Sequence, residues 1–247
     1  MLTQHTLDRL RQLGLSGMAE ALRAQRGSAD IQQLSFEERL GLLVDEEMAY
    51  RQDRRTERLL KEAHLRVAAS LEDIDYRPDR GLDRDLMRTL GECRWVNEHL
   101  NVLVVGPTGA GKTWISSALG HAACRHGIAV RYYRVERLCE ELVCAQADNT
   151  LTRALARLSR VGVLIIDDWG LAPLGPTEAR LLLQVVDDRS DTRSTVIASQ
   201  LPVDRWHDVV QDPTMADAIL DRVVHGAYRI TLRGESMRKI ARQRRSS

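Results

Sequence analysis

The chain has 247 residues, 43% hydrophobic and 29% charged, with a formal net charge of +1. That length suits one sizeable core plus a smaller appendage, and the composition excludes wholesale disorder and fibrous or low-complexity classes. No apolar run approaches the roughly 18 to 20 residues of a membrane span, and the opening Met1-Leu2-Thr3-Gln4-His5 lacks the basic-then-apolar layout of a secretion signal. A cytoplasmic location with no membrane partner is the expectation.

Up to about residue 92 the chain reads as helix after helix. Ser35 and Glu38 have the spacing of a capping box, and Phe36, Leu40, Leu43, Val44 and Met48 follow near helical spacing. With no glycine or proline between Leu42 and Arg77, one long helix with at most one break is predicted there. The basic residues Arg51, Arg54, Arg55, Arg58, Lys61 and Arg66 are interleaved with Asp53, Glu57 and Glu62, the pattern of a solvated helix face. Pro78 and Gly81 punctuate the run, and a short helix from Asp83 to Cys93 leads onward. Residues 1–92 are therefore expected to form a small all-helical domain for assembly or partner binding, and 93–247 the core.

From Asn101 short β-branched runs alternate with helical segments. Strands are predicted at Asn101–Val105, Ala129–Val135, Val161–Ile166, Thr195–Ser199 and Tyr228–Leu232, with helices at Lys112–His126, Glu136–Ala147, Thr150–Ser159, Thr177–Arg189 and Thr214–Val224. Such alternation predicts an α/β fold with a five-stranded parallel sheet between layers of helices.

Directly after the first strand and before the first helix stands Gly106-Pro107-Thr108-Gly109-Ala110-Gly111-Lys112-Thr113, a complete phosphate-loop pattern, followed by Trp114. Glycines there let successive backbone N–H groups converge on phosphates at a helix N-terminus, Lys112 reaches the β and γ phosphates, and the Thr113 hydroxyl ligates magnesium. The third strand ends in Asp167-Asp168. An acid at the carboxyl end of the sheet beside the loop can hold the magnesium shell, the role expected of Asp167, while Asp168 orients and deprotonates the attacking water. Ser199 and Gln200 end the next strand between these motifs, where a polar group can touch the γ phosphate or the water. Arg222, next to Asp221 at a helix end, is either a helix C-terminal cation or an arginine projecting into a neighbouring subunit's site.

Cys93, Cys124, Cys139 and Cys144 have no CxxC spacing, so reduced thiols are expected rather than a zinc site or disulfides. At the C-terminus Arg229, Arg233, Arg238, Lys239, Arg242, Arg244 and Arg245 face the lone acid Glu235, a balance that suits an anionic partner. Four tryptophans and one phenylalanine are too few for base-stacking platforms, which argues against single-strand recognition.

These motifs, in this order, resemble the AAA+ ATPases, in the branch that holds the replication initiator DnaA and the helicase loader DnaC. Closer still is the resemblance to the IstB-like family, ATP-binding helpers of insertion-sequence transposition. It rests on Leu34–Asp45, Ile74–Arg77, the phosphate loop, Ile166-Asp-Asp-Trp-Gly-Leu-Ala-Pro173, Ser199-Gln-Leu-Pro-Val203 with Trp206-His207, Asp212-Pro213, Ala216–Arg222 and Gly234-Glu-Ser-Met-Arg-Lys239. The resemblance implies ATP and Mg2+ as ligands, Asp167 in the metal shell, Asp168 as catalytic acid, Ser199 at the first sensor position and Arg222 as a trans-acting arginine finger. It further implies a homo-oligomer, duplex DNA bound with little sequence preference, and an IstA-type transposase as partner. Most of the superfamily carries glutamate where Asp168 stands, so slow turnover is implied. Too few residues follow the last strand for a full C-terminal lid, so Arg238 is expected at DNA or a subunit contact rather than on a lid. A helicase loader is the alternative reading. A small-molecule kinase would need an acceptor pocket and a lid for which the sequence offers no feature.

Overall fold

The computed structural model describes residues 2–234, 236 and 237. Arg238, Lys239, Arg242, Arg244 and Arg245 of the basic run, and the segment to which the lid expectation applies, lie outside the described residues. Two compact units divide the chain, Met1–Arg58 and Leu59–Ser247. The boundary lies upstream of the expected residue 92. The physical reason is that residues 59–92 bury Leu59, Ala63, Ile74, Met87 and Leu90 in the core of the second unit.

The first unit holds α1 (Leu2–Gln12), α2 (Ser16–Gln25), α3 (Ala29–Gln32) and most of α4 (Phe36–Ala63). The predicted capping box is present: the Glu38 backbone N–H donates to Ser35 Oγ at 3.2 Å, and the Ser35 N–H donates to Glu38 Oε2 at 2.8 Å. The Ser35 donors hold the Glu38 carboxyl below its ordinary range. Gly17 lets α2 lie directly on α4, since a Cβ there would stand 2.7 Å from Tyr50 Cβ and 2.9 Å from the Glu46 carbonyl. Glu47 locks the crossing by accepting the Met18 N–H at 3.1 Å and Arg51 Nε at 2.7 Å. The stripe Phe36, Leu40, Val44 and Met48 is exposed.

Helix α4 ends at Ala63, well short of Arg77. His64 takes a left-handed conformation (φ 52°), and the chain then runs through 3-10 turns at Leu71–Asp73 and Pro78–Arg80. Tertiary packing overrides the local helical preference here: Leu65 closes on Gly120.

The second unit continues with α5 (Arg84–Gly91), α6 (Arg94–Asn97), β1 (Val102–Val105), α7 (Lys112–Arg125), β2 (Val130–Arg134), α8 (Val135–Ala147), α9 (Leu151–Arg160), β3 (Val163–Trp169), α10 (Pro176–Arg189), β4 (Ser194–Ser199), α11 (Pro213–Val224) and β5 (Tyr228–Thr231). The five strands are parallel, in the order β2-β3-β4-β1-β5. Alternation along each strand feeds two cores, as a sheet buried on both faces requires. Leu103, Val105, Leu164, Ile166 and Ile197 face α8 to α11. Val102, Val104, Val163, Ile165, Val196 and Ala198 face α5, α6 and α7. Because β4 lies between β1 and β3, the ends of those three strands meet at one edge, where the loop before α7 begins. No helix among the described residues is long and apolar enough to cross a membrane.

Candidate nucleotide site

At the carboxyl ends of β1, β3 and β4 opens a cleft of about 740 Å³. Thr108, Gly109, Gly111, Lys112, Thr113, Trp114, Asp168 and Gln200 line it, with residues of the segment before α5 as its far wall. Gly106 and Ala110 shape the loop from behind: the Gly106 N–H bonds the Ser199 carbonyl at 3.2 Å, and the Ala110 N–H bonds the Pro107 carbonyl at 3.2 Å. Gly111 caps α7 at φ 102°, where a side chain would be strained and its Cβ would stand 2.9 Å from the Arg80 guanidinium. Lys112 is buried at 7% exposure, its ammonium donating to the Gly106 carbonyl at 2.8 Å and the Pro107 carbonyl at 3.0 Å.

Asp167 is fully buried and accepts three hydrogen bonds. Thr113 Oγ1 donates to Oδ2 at 2.7 Å, the Tyr132 hydroxyl to Oδ2 at 2.6 Å, and the Asp168 N–H to Oδ1 at 2.8 Å. Burial, then the Asp167 acceptor and its charge, push the Tyr132 phenol well above its usual range, so it remains a donor.

Asp168 is turned into the cleft by a bulge. Ile166 pairs with Ile197 but Trp169 with Ser199, so β3 carries one extra residue across that step, and Asp168 occupies the left-handed region at φ 61°. Such a bulge re-aims a side chain, and aspartate tolerates the conformation better than most residues. Its carboxylate lies 3.3 Å from Arg134 Nε and 3.7 Å from an Arg66 guanidinium nitrogen.

Two sequence-predicted residues lie elsewhere. Ser199 is fully buried, its hydroxyl donating to the Trp169 carbonyl at 2.7 Å and accepting from the Leu201 N–H at 3.0 Å. Both bonds stitch backbone, so the sensor role expected of Ser199 does not fit. Its neighbour Gln200 faces the cleft and accepts from Thr108 Oγ1 at 2.6 Å. Arg222 does not line the cleft of its own chain. Its Nε bonds Asp187 on α10 at 2.5 Å, and its NH1 bonds the Ala218 carbonyl at 2.9 Å.

Four contributors went unmarked in the sequence: Arg66, Arg80, Tyr132 and Arg134. Arg80 is buried, with NH2 on the Ala110 carbonyl at 3.0 Å and NH1 on the Asp75 carbonyl at 2.6 Å, so it braces the phosphate loop from outside. Burial lowers its affinity for its proton, with Asp75 opposing that shift. Arg134 ends β2 and lies one residue from the end of the predicted strand, a position at the carboxyl edge of a parallel sheet that could have singled it out. Past β5 the chain returns to the loop, with the Met237 N–H on the Gly109 carbonyl at 3.0 Å.

The residues present fit a nucleoside triphosphate with magnesium. Loop amides open a helix N-terminus, a buried ammonium stands at the cradle, and a hydroxyl–carboxylate pair of hard oxygen donors lies beside it. A phosphate loop feeding a parallel sheet of this order, with acids on the third strand, defines a P-loop protein of the AAA+ class.

The chain belongs to the family of IstB-like ATP-binding proteins, whose model matches residues 8–246. It is 47% identical over 247 residues, the full length of both chains, to y4pL of Sinorhizobium fredii (strain NBRC 101917 / NGR234), a protein named for ATP binding in an insertion sequence. Against the ATP-binding protein of insertion sequence IS1162 from Pseudomonas fluorescens it is 51% identical over 203 residues, covering 82% of this chain and 88% of the relative. Among solved structures, DnaI matches with a TM-score of 0.57 at 20% identity, over 71% of this chain and 93% of that one, a likeness of fold.

Proposed function

We propose that the protein is an ATPase that assembles on duplex DNA with little sequence preference and assists an IstA-type transposase in target selection and strand transfer. The observation that carries the reading is the meeting of Thr113, buried Asp167 and bulge-turned Asp168 beside the phosphate loop. In this reading the loop amides and Lys112 hold the phosphates, Thr113 and Asp167 hold magnesium, and Asp168 takes the proton of the attacking water. Magnesium held by these two residues would offset the charge of the phosphates. For Asp168 to act, its carboxylate must leave Arg66 and Arg134, which agrees with slow turnover before assembly.

Arg222 acts across a subunit boundary in a homo-oligomer, leaving Asp187 to reach a neighbour's phosphates. The transposition assignment draws on relatives named for insertion sequences. The likeness to DnaI is one of fold alone and adds nothing for a helicase loader. The test is duplex binding titrated over salt with an ATP analogue, with ADP and with neither. Tighter binding with the analogue is expected; identical affinity in all three states, or no duplex binding at low salt, overturns the reading.

A further inference from the structure

Beside the nucleotide cleft, at the outer edge of the sheet, lies a second concavity of about 500 Å³. Its rim is Arg66, Arg131, Arg134, Arg137 and Arg157 with His64. These guanidiniums come from the segment after α4, from edge strand β2, and from α8 and α9, so the fold rather than local sequence gathers them.

Five guanidiniums share three carboxylates here. Arg157 pairs with Glu141 at 3.2 Å and Arg137 with Glu140 at 2.9 Å, while Arg66 and Arg134 share Asp168 at 3.7 and 3.3 Å. Arg131 bonds the backbone carbonyl of Glu62, which neutralises none of its charge. The arithmetic, five positive minus three negative, leaves +2 on one small surface. Guanidinium forks match phosphate oxygens in a way a diffuse field does not.

The floor disfavours a nucleobase. Tyr133 is only 9% exposed with its hydroxyl on Glu141 at 3.2 Å, and Tyr132 is committed to Asp167, so neither offers an open ring for stacking. A concavity at a sheet edge, cationic but without a stacking platform, suits a polymer that presents phosphates outward.

We propose that this arginine concavity seats the phosphodiester backbone of duplex DNA. The inference rests on the DNA-binding reading above and deepens it by naming where the protein meets the duplex. Phosphate contacts there carry no base information, in keeping with weak sequence preference. Because Arg66 and Arg134 border both sites, the seat adjoins the carboxylate expected to activate water.

The test uses the full chain with an ATP analogue and a fluorescently labelled random-sequence duplex, titrated over a range of salt. Each phosphate that a variant no longer neutralises should reduce the slope of log affinity against log salt by about 0.9, so Arg131→Gln, Arg137→Gln and Arg157→Gln together should flatten it by up to about 2.7. The same three positions as lysine should keep most of the slope, since the charge remains. A second triple, Arg88→Gln, Arg94→Gln and Arg180→Gln, removes equal charge from exposed positions outside the concavity and should leave the slope near that of the parent. Affinity for a fluorescent ATP analogue reports an intact fold in every variant. Equal slopes for the parent and the concavity triple, or equal flattening by both triples, would overturn the proposal while leaving DNA binding standing. Failure of the parent to bind duplex would overturn both readings. Tripolyphosphate that binds the parent but not the concavity triple, with duplex slopes unchanged, would assign the seat to a small anion and also overturn it.

Discussion

Replacing Tyr132 by phenylalanine removes one oxygen and keeps the ring, so it isolates the bond that holds Asp167. Asp167 is fully buried and takes its bonds from Thr113, Tyr132 and the Asp168 N–H. Thr113 Oγ1 could offer a lone pair to magnesium while its hydrogen stays on Oδ2, so the metal-binding hydroxyl and the carboxylate would remain joined. Tyr132 is the second side-chain donor on that oxygen and helps keep it from swinging away.

A hydrogen bond to a charged acceptor is worth about 1.5 to 3 kcal/mol, and with other donors left to Asp167 the lower end applies. About 1.5 kcal/mol corresponds to roughly a tenfold change in an equilibrium constant. Tyr132→Phe is therefore expected to raise the magnesium concentration at half-saturation of ATP-analogue binding about tenfold, within the range of about 10 to 100 seen when groups behind metal ligands are removed. Analogue binding without magnesium should change little. The phenol's pKa is raised in the fold, so its stabilising bond is complete below the unfolded-state pKa near 10 and is lost only as pH rises from there towards the folded value. The parent–variant difference should therefore be flat from about pH 6 to 9. An unchanged magnesium midpoint, with urea unfolding showing the expected loss of stability, would reduce Tyr132 to a packing residue.

Lys112→Ala is expected to abolish nucleotide binding, because it removes the ammonium held at the phosphate cradle; ATP-analogue affinity equal to the parent's would refute the site. Asp168→Asn keeps a side chain that tolerates the left-handed backbone, so binding should survive while single-turnover hydrolysis slows at least a hundredfold, and equal rates would remove Asp168 from its role. Arg222→Ala should spare binding by the protomer and reduce turnover in the assembly by roughly 10³ to 10⁵. Mixing it with Lys112→Ala protein should restore part of that activity, and no recovery despite co-assembly would return Arg222 to the helix-end role. Ser199→Ala should cost about 1 kcal/mol in urea unfolding with turnover nearly unchanged, whereas a collapse of turnover in a stably folded variant would reinstate it as a sensor.

What the sequence made legible is what local pattern encodes. The strand, glycine loop and helix from Val102 to Arg125 are contiguous, and the acids Asp167 and Asp168 announce themselves by closing an apolar run. Ser199 and Gln200 show the limit of that legibility: adjacent residues at a strand end point to opposite sides, and a shift of one position exchanges the buried hydroxyl for the exposed amide. The bulge at Asp168 left no mark either, since an extra residue in β3 exists only relative to β4. Arg66, Arg80 and Tyr132 reach the site from 102, 30 and 35 positions along the chain from Asp168, Ala110 and Asp167 respectively, distances over which periodicity carries no information. The helix expected beyond Ala63 failed for the same reason, because the packing of Leu65 on α7 depends on a partner that local sequence does not reveal.

The return of the chain to the phosphate loop after β5 has a practical side. Met237 both lines the cleft and hydrogen-bonds Gly109, so a group attached to that residue would stand at the mouth of the nucleotide cleft. A bulky label attached at position 237 would stand beside the phosphate loop, and nucleotide binding measured on such a protein would mix the label's effect with the site's. The same proximity makes the position useful: a small environment-sensitive dye attached there would read nucleotide arrival directly, without modifying the nucleotide.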